Sequence, residues 1–253
     1  MTYYNKNKNG FTLAEVLITL GIIGVVAALT MPNLIANYKK SVTVNQLKQT
    51  YSILKNAEQM SIEVNGTIED WSFDTSGSQA YGDLFVNKYY LPYLKSAIPC
   101  KYKNENDWIS TASGNHAYNY MWVDNAICLP NGSMIYASNY GSNGRISGKV
   151  IYIDINGDKG PNTLGRDIFS TFFGNEHMKT TDNYYYVSCP AGLSFCSPSN
   201  FDKYADGPWD ANRDKLIDNC KNKGGNSGPE TNSCGYLIQA SGWDIPADYP
   251  VNL

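Results

Sequence analysis

FTLAEVLITLGIIGVVAALTMPNLIA, residues 11–36, governs how everything after it must be read. These 26 residues carry a single charge, Glu15. At about 1.5 Å per residue a helix of this length reaches ~39 Å, enough to cross a ~30 Å hydrocarbon core with some tilt. The run exceeds the ~7–15-residue apolar core of a secretory signal peptide, and no small-x-small cleavage site follows it. Nothing later in the chain is apolar enough to insert. The sequence therefore predicts one membrane-spanning helix near the N-terminus and an exported remainder.

Orientation rests on two signals. Lys6 and Lys8 precede the run and favour a cytoplasmic N-terminus, while Lys39 and Lys40 on the far side oppose it. The cysteines break the tie. All six, Cys100, Cys128, Cys189, Cys196, Cys220 and Cys234, lie beyond residue 99, as expected of a domain in an oxidising space. No CxxC pair and only two histidines are present, which disfavours zinc. Six cysteines allow 15 pairings. We expect sequence neighbours to pair, 100–128, 189–196 and 220–234, with reduced buried thiols as the alternative.

Glu15 is the anomaly in the run. A carboxylate within a spanning segment costs a few kcal/mol and is functional by default; the plainer alternative is an acid close enough to the interface to snorkel. Its context narrows the choice. A short basic leader ends at Gly10, and Lys8-Asn-Gly-Phe-Thr-Leu-Ala-Glu-Val-Leu17 opens the apolar run. This stretch closely resembles the processing signal of type IV prepilins and type II secretion pseudopilins. The resemblance covers about 30 residues. It implies that a membrane-embedded prepilin peptidase cuts between Gly10 and Phe11 and methylates the new Phe11 amine. It also makes Glu15 the family's assembly glutamate and Pro32 its helix-bending proline. Gly10 has no side chain and suits an extended entry into a narrow protease site. Once exposed, the Phe11 amine could pair with Glu15 of a neighbouring subunit. Gly24 and Ala28 make a small-xxx-small pair of little diagnostic weight.

Beyond the membrane segment, Leu47, Tyr51, Leu54, Ala57 and Ser61 recur at spacings of three and four. That periodicity predicts an amphipathic stem ending near Val64, before Asn65-Gly66. A strand is expected at Tyr118–Val123, and a hairpin of residues 126–130 and 133–138 around a type I′ turn at Asn131-Gly132. Val150–Asp154 reads as another strand, Asn212–Lys221 as a short helix, and Cys234–Trp243 as a closing strand. The prediction is an α+β fold: a long N-terminal helix, half membrane-spanning and half stem, packed on a loop-rich antiparallel sheet, pilin-like. The divisions are a removable leader 1–10, a transmembrane helix 11–36, a stem 37–64 and a globular domain 65–253.

Between residues 154 and 167, oxygen side chains alternate at Asp154, Asn156 and Asp158, with Asn162 and Asp167 able to complete a shell. Calcium takes six to eight oxygens, and Gly157 and Gly160 permit tight turns. The pattern departs from an EF-hand: Lys159 stands where glycine is required and Gly165 where the closing glutamate belongs. Some major pseudopilins hold calcium in a domain loop, which raises the expectation of calcium here. The alternative is a loop held by its own Asx-turns.

No GxSxG, Walker, GxGxxG or HExxH motif occurs, and His116 and His177 lack a ligand pattern. Asp70, Asp74 and Asp83 are more simply solvated loop acids. The sequence therefore predicts no enzyme. Removing the two leader lysines turns 20 basic against 23 acidic residues into 18 against 23, a net charge of −5, which disfavours unaided binding to nucleic-acid phosphate. The expected role is a filament subunit of a bacterial pilus or pseudopilus. It would be anchored by a single pass in the cytoplasmic membrane with its C-terminal domain exported, or carried into an extracellular filament. Its expected partners are prepilin peptidase, other subunits and an inner-membrane assembly platform. An uncleaved anchored glycan- or ligand-binding protein is the alternative, and an anchored hydrolase a third reading.

Overall fold

The computed structural model describes residues 10–72, 84–101, 108–110, 116–119, 126–142, 145–174, 192–195, 213–221 and 233–253. The chain divides into two compact units, Met1–Lys40 and Ser41–Leu253.

Helix α1, Leu13–Asn65, is a single element of 53 residues. Its Leu and Ala content favours helix, and Pro32 lies inside it without ending it, although proline removes one ladder hydrogen bond. The first unit leaves its large apolar side chains open: Leu17, Ile23, Leu29 and Leu34 are all exposed. This segment is long and apolar enough to cross a membrane. The helix ends at Asn65, one residue beyond the expected Val64, with Gly66 at φ +80°, a conformation that suits glycine.

The second unit is built on a six-stranded antiparallel sheet. Its strands are β1 (Ile98–Cys100), β4 (Ala126–Cys128), β5 (Met134–Ser142), β6 (Arg145–Asp154), β7 (Ile168–Gly174) and β8 (Gly192–Ser194), in the order β1-β4-β5-β6-β7-β8. A separate pair joins β2 (Trp108–Ser110) to β3 (His116–Asn119). Side chains alternate across the large sheet with period two. Ile127, Ile135, Ala137, Ile151, Ile153, Phe169 and Phe173 share a core with Leu47, Leu54 and Ala57 of the stem. Ala126, Met134, Tyr136, Val150, Tyr152 and Ile168 point the other way and are covered by Ile109 and Leu164. Both faces of the central strands are thus buried, which is why Val150–Ile153 reads as an unbroken apolar run. Helix α2 (Leu84–Tyr89) adds Phe85 and Tyr89 to an aromatic group with Trp71 and Phe173; Trp71 and Tyr89 stack at 4.3 Å. Helices α3 (Arg213–Lys221) and α4 (Cys234–Ala240) close the unit.

Two sequence expectations need correction. Residues 234–240 form helix α4, not a closing strand. Cys234, Leu237 and Ile238 are buried at helical spacing, and Gly235 lies so close to Phe195 that an added Cβ would fall 2.4 Å from its ring. The β4–β5 hairpin forms as expected, but its turn is not type I′, because Gly132 has φ +87° and Asn131 is not left-handed. Pro130 supplies the first corner, and the Gly132 amide donates to the Leu129 carbonyl at 3.0 Å. Of the strand expected at 118–123, residues 118 and 119 lie in β3 and the rest fall outside the described residues.

Candidate functional site

Residues 10–15 carry the most informative local chemistry. Gly10 and Phe11 precede the first helical residue, Leu13, and the Phe11 side chain is 90% exposed. Thr12 sits at the helix N-cap. Its backbone N–H and its hydroxyl both donate to Glu15 Oε2 at 2.8 Å, and the Glu15 N–H donates back to Thr12 Oγ1 at 3.2 Å. This is a reciprocal capping box, and Thr-Leu-Ala-Glu is its sequence signature. It does two things at once. It starts the helix two residues beyond the Gly10–Phe11 bond, which keeps that bond outside the helical ladder. It also supplies the Glu15 carboxylate with two donors from its own chain, which lessens the cost of carrying it into an apolar medium. Thr12 is the capping residue the sequence reading passed over, although its spacing to Glu15 is diagnostic.

A second arrangement fixes the stem on the sheet. Glu58 is buried on α1. Its Oε2 accepts the Leu193 N–H at 2.6 Å and the Tyr90 hydroxyl at 3.1 Å, and Lys55 Nζ pairs with its Oε1. The Leu193 carbonyl in turn accepts the Tyr51 hydroxyl at 3.3 Å and Lys55 Nζ at 3.4 Å. Burial first, and the Glu58 carboxylate second, push the Tyr90 phenol well above its ordinary range, so it stays a donor. A Cβ on Gly192 would lie 2.8 Å from Glu58 Oε1, so glycine lets β8 approach this closely. At the β4–β5 turn, Thr50 Oγ1 of the stem meets Ser133 Oγ at 2.9 Å and accepts Asn131 Nδ2 at 3.1 Å.

The 154–167 loop gathers four of the five residues proposed for calcium. Asp154 Oδ1 accepts the Asn156 N–H at 3.2 Å. Asp167 accepts the Asn162 N–H at 2.9 Å and Asn156 Nδ2 at 3.4 Å through Oδ2, and the Thr163 N–H through Oδ1. Asn162 at φ +53° and Gly157 at φ +68° make the tight corners. Burial raises the Asp167 carboxyl above its ordinary value, against the lowering pull of these donors. Among the described residues no three His, Cys, Asp or Glu side chains cluster as metal ligands. Asn156 Oδ1 is buried without a partner, a single unclaimed oxygen. Asp167 thus acts as an Asx cap that closes the loop. With its oxygens taken, the set fits a six- to eight-oxygen ion poorly.

The disulfides Cys100–Cys128 and Cys220–Cys234 form as the nearest-neighbour pairing requires, with Cα–Cα distances of 5.8 and 4.7 Å. Cys189, Cys196 and His177 lie outside the described residues, as do Asp74 and Asp83. The second bridge sits against the loop: a Cβ on Gly165 would fall 2.3 Å from Cys234 Sγ and 2.9 Å from Val251. The Tyr249 hydroxyl donates to the Gly165 carbonyl, and Arg213 clasps Asp248 through two hydrogen bonds of 2.9 and 2.6 Å. The last residues of the chain are therefore tied to the loop and to α3.

Comparison with known proteins gives two matches. The pattern of a family of unknown function, DUF6613, matches residues 33–253. The prokaryotic N-terminal methylation motif matches residues 5–31. No curated protein and no solved structure matches the chain.

Proposed function

The chain belongs to the family of unknown function DUF6613 and is a type IV pilin-like protein; from that premise we propose that it is a structural subunit of a type IV pilus-like or type II secretion pseudopilus filament. The observation that carries the proposal is the methylation motif at residues 5–31, which includes Gly10, Phe11 and Glu15. Prepilin peptidase cuts between Gly10 and Phe11 and methylates the Phe11 amine. The helix start at Leu13 supports this, because it leaves the Gly10–Phe11 bond outside the helix and exposed. The apolar half of α1 anchors the subunit in the cytoplasmic membrane by a single pass. The domain that carries the disulfides is exported, consistent with an oxidising space. On assembly, Glu15 turns from its Thr12 cap to the Phe11 amine of a neighbouring subunit, which fixes the register between helices. Its role is structural rather than catalytic: other pilin subunits and an inner-membrane platform are its partners.

The test is the N-terminal sequence and intact mass of the protein from membranes of a host with an active prepilin peptidase. A chain starting at Phe11 with one added methyl group is expected. A chain still beginning at Met1 would overturn the proposal and leave an uncleaved, anchored ligand- or glycan-binding protein as the reading. Glu15→Ala is expected to leave cleavage largely intact and to weaken incorporation into filaments. Unchanged incorporation would remove the assembly role from Glu15.

A further inference from the structure

Asn37-Tyr38-Lys39-Lys40 follows the apolar run directly on α1. Tyr38 is 70% exposed, Lys39 is exposed and Lys40 is half-buried. No aspartate or glutamate occurs from Val16 to Ala57, so neither lysine has an acid within helical reach. Neither makes an ion pair among the described residues. Placed beyond the spanning segment, both also run against the charge bias that orients such a helix. Their level along the helix is fixed by the apolar run 11–36, whose midpoint falls between Ile23 and Gly24. At about 1.5 Å per residue, Lys39 and Lys40 sit about 23–25 Å from that midpoint. The hydrocarbon ends about 15 Å from it and the headgroup layer about 20–22 Å from it. Helical side chains lean back toward the N-terminus, so the long lysine stems return their ammonium groups to the headgroup layer. Tyr38, an amphipathic ring, suits the same level. Three consecutive residues turn through about 200° of helix, which makes a collar rather than a stripe.

We propose that Tyr38, Lys39 and Lys40 form a binding collar for anionic phospholipid headgroups, in the leaflet that faces the exported domain. The inference rests on the reading of α1 as a membrane anchor and extends it to a choice of lipid. Charge complementarity selects the occupant. Two ammonium groups without a counter-ion in their own helix gain most from a headgroup whose phosphate charge is uncompensated. A zwitterionic headgroup sets its own cation against them, whereas phosphatidylglycerol does not. The Tyr38 hydroxyl adds a neutral donor at the same level. Near an anionic surface each lysine strengthens association about fivefold, so the pair gives a preference of roughly 25-fold.

The test uses the full chain purified in detergent and titrated with phosphatidylglycerol or phosphatidylcholine of matched acyl chains. Bound lipid is counted by native mass spectrometry. Phosphatidylglycerol is expected to bind roughly 25-fold tighter, with the preference shrinking as salt rises. In the Lys39→Gln/Lys40→Gln variant the preference should fall at least about tenfold. Lys48→Gln removes a lysine whose Nζ lies 5.9 Å from the Trp243 ring centroid, and should keep the preference. Equal binding of the two lipids by the parent, a preference that survives in the double glutamine variant, or an equal loss in Lys48→Gln would each overturn the collar and leave the anchor standing. Alkaline carbonate extraction of membranes checks the anchor separately. The parent and both variants are expected to stay with the membrane. Release of the parent would remove the anchor reading itself, and the collar with it.

Discussion

Replacing Glu58 with alanine tests whether the stem is held on the sheet by a specific polar hub or by apolar packing alone. The side chain is 4% exposed, and its carboxylate takes the Leu193 N–H and the Tyr90 hydroxyl. Hydrogen bonds to a charged group contribute about 1.5–3 kcal/mol each. Lys55 is 39% exposed on its side chain, so its ion pair is screened and adds at most about 1 kcal/mol. Removing the carboxylate strands two buried donors and leaves a void, at an expected cost of about 3–5 kcal/mol, the range for breaking a buried charge pair. For a domain of this size that is a fall in midpoint of roughly 6–20 °C. Glu58→Gln keeps the volume and one acceptor oxygen, and should lose about half as much. Lys55→Met should stay within about 1 kcal/mol of the parent. The assay is thermal unfolding of the full chain in detergent, followed by near-ultraviolet circular dichroism, to which the buried tyrosines and Trp71 contribute. If Glu58→Ala moved the midpoint no more than Lys55→Met does, the hub would be incidental and the apolar contacts of Leu47, Leu54 and Ala57 would suffice.

Asp167 gives a pH signature. Its folded carboxyl is raised by burial, so the native state binds the proton more readily than the unfolded chain. Stability at this site therefore increases as pH falls through the raised value and levels off below the ordinary value of 3.8. In Asp167→Asn this slope is absent, and the variant loses about 1–3 kcal/mol at neutral pH because its amide faces N–H donors; parallel pH–stability curves for the two proteins would contradict this. Chelation of divalent cations with EDTA is expected to leave the midpoint within about 2 °C, whereas a calcium-dependent rise equal to 1.5 kcal/mol or more would make the 154–167 oxygens ligands after all. Serine at both Cys220 and Cys234 opens a bridge of sequence separation 14 and should cost about 3 kcal/mol by denaturant titration. Gly165→Ala should cost at least about 1–3 kcal/mol, since its φ of +81° and the Cys234 sulfur both oppose a Cβ; a neutral result would mean that the tail of the chain moves aside freely.

What was legible in the sequence was what local periodicity and turn chemistry determine. The apolar run, the stem spacing from Leu47 to Ser61, the stop at Asn65-Gly66 and the strand at Val150–Asp154 each carry their signal within a few residues. So does helix α3. What was not legible depends on distant partners. Cys234–Ala240 has enough β-formers to pass as a strand. It became a helix because Phe195, Cys220 and Gly165 supply a surface that suits helical spacing. The strand at Ile168–Gly174 was not predicted, since nothing in Ile-Phe-Ser-Thr-Phe-Phe says that it will lie beside Val150 and Ile151. Glu58 looked like one of the charges interspersed along an amphipathic helix, and its burial follows from the approach of Gly192, 134 residues away. For the processing segment the position is reversed. Gly10, Phe11 and Glu15 stood out at once, and Thr12 was equally readable from its spacing to Glu15.

Among the described residues, the disulfides Cys100–Cys128 and Cys220–Cys234 join sequence neighbours, across separations of 28 and 14, and neither loop contains the other. If the domain is exported from an anchored N-terminal end, as proposed above, this non-nested order permits vectorial maturation of the two bridges. Each of these two bridges can be oxidised as soon as its second thiol emerges, and neither must be reopened to admit the other. For these four thiols catalysed isomerisation would then be dispensable, and a simple thiol oxidant on the far side of the membrane would be enough to join them.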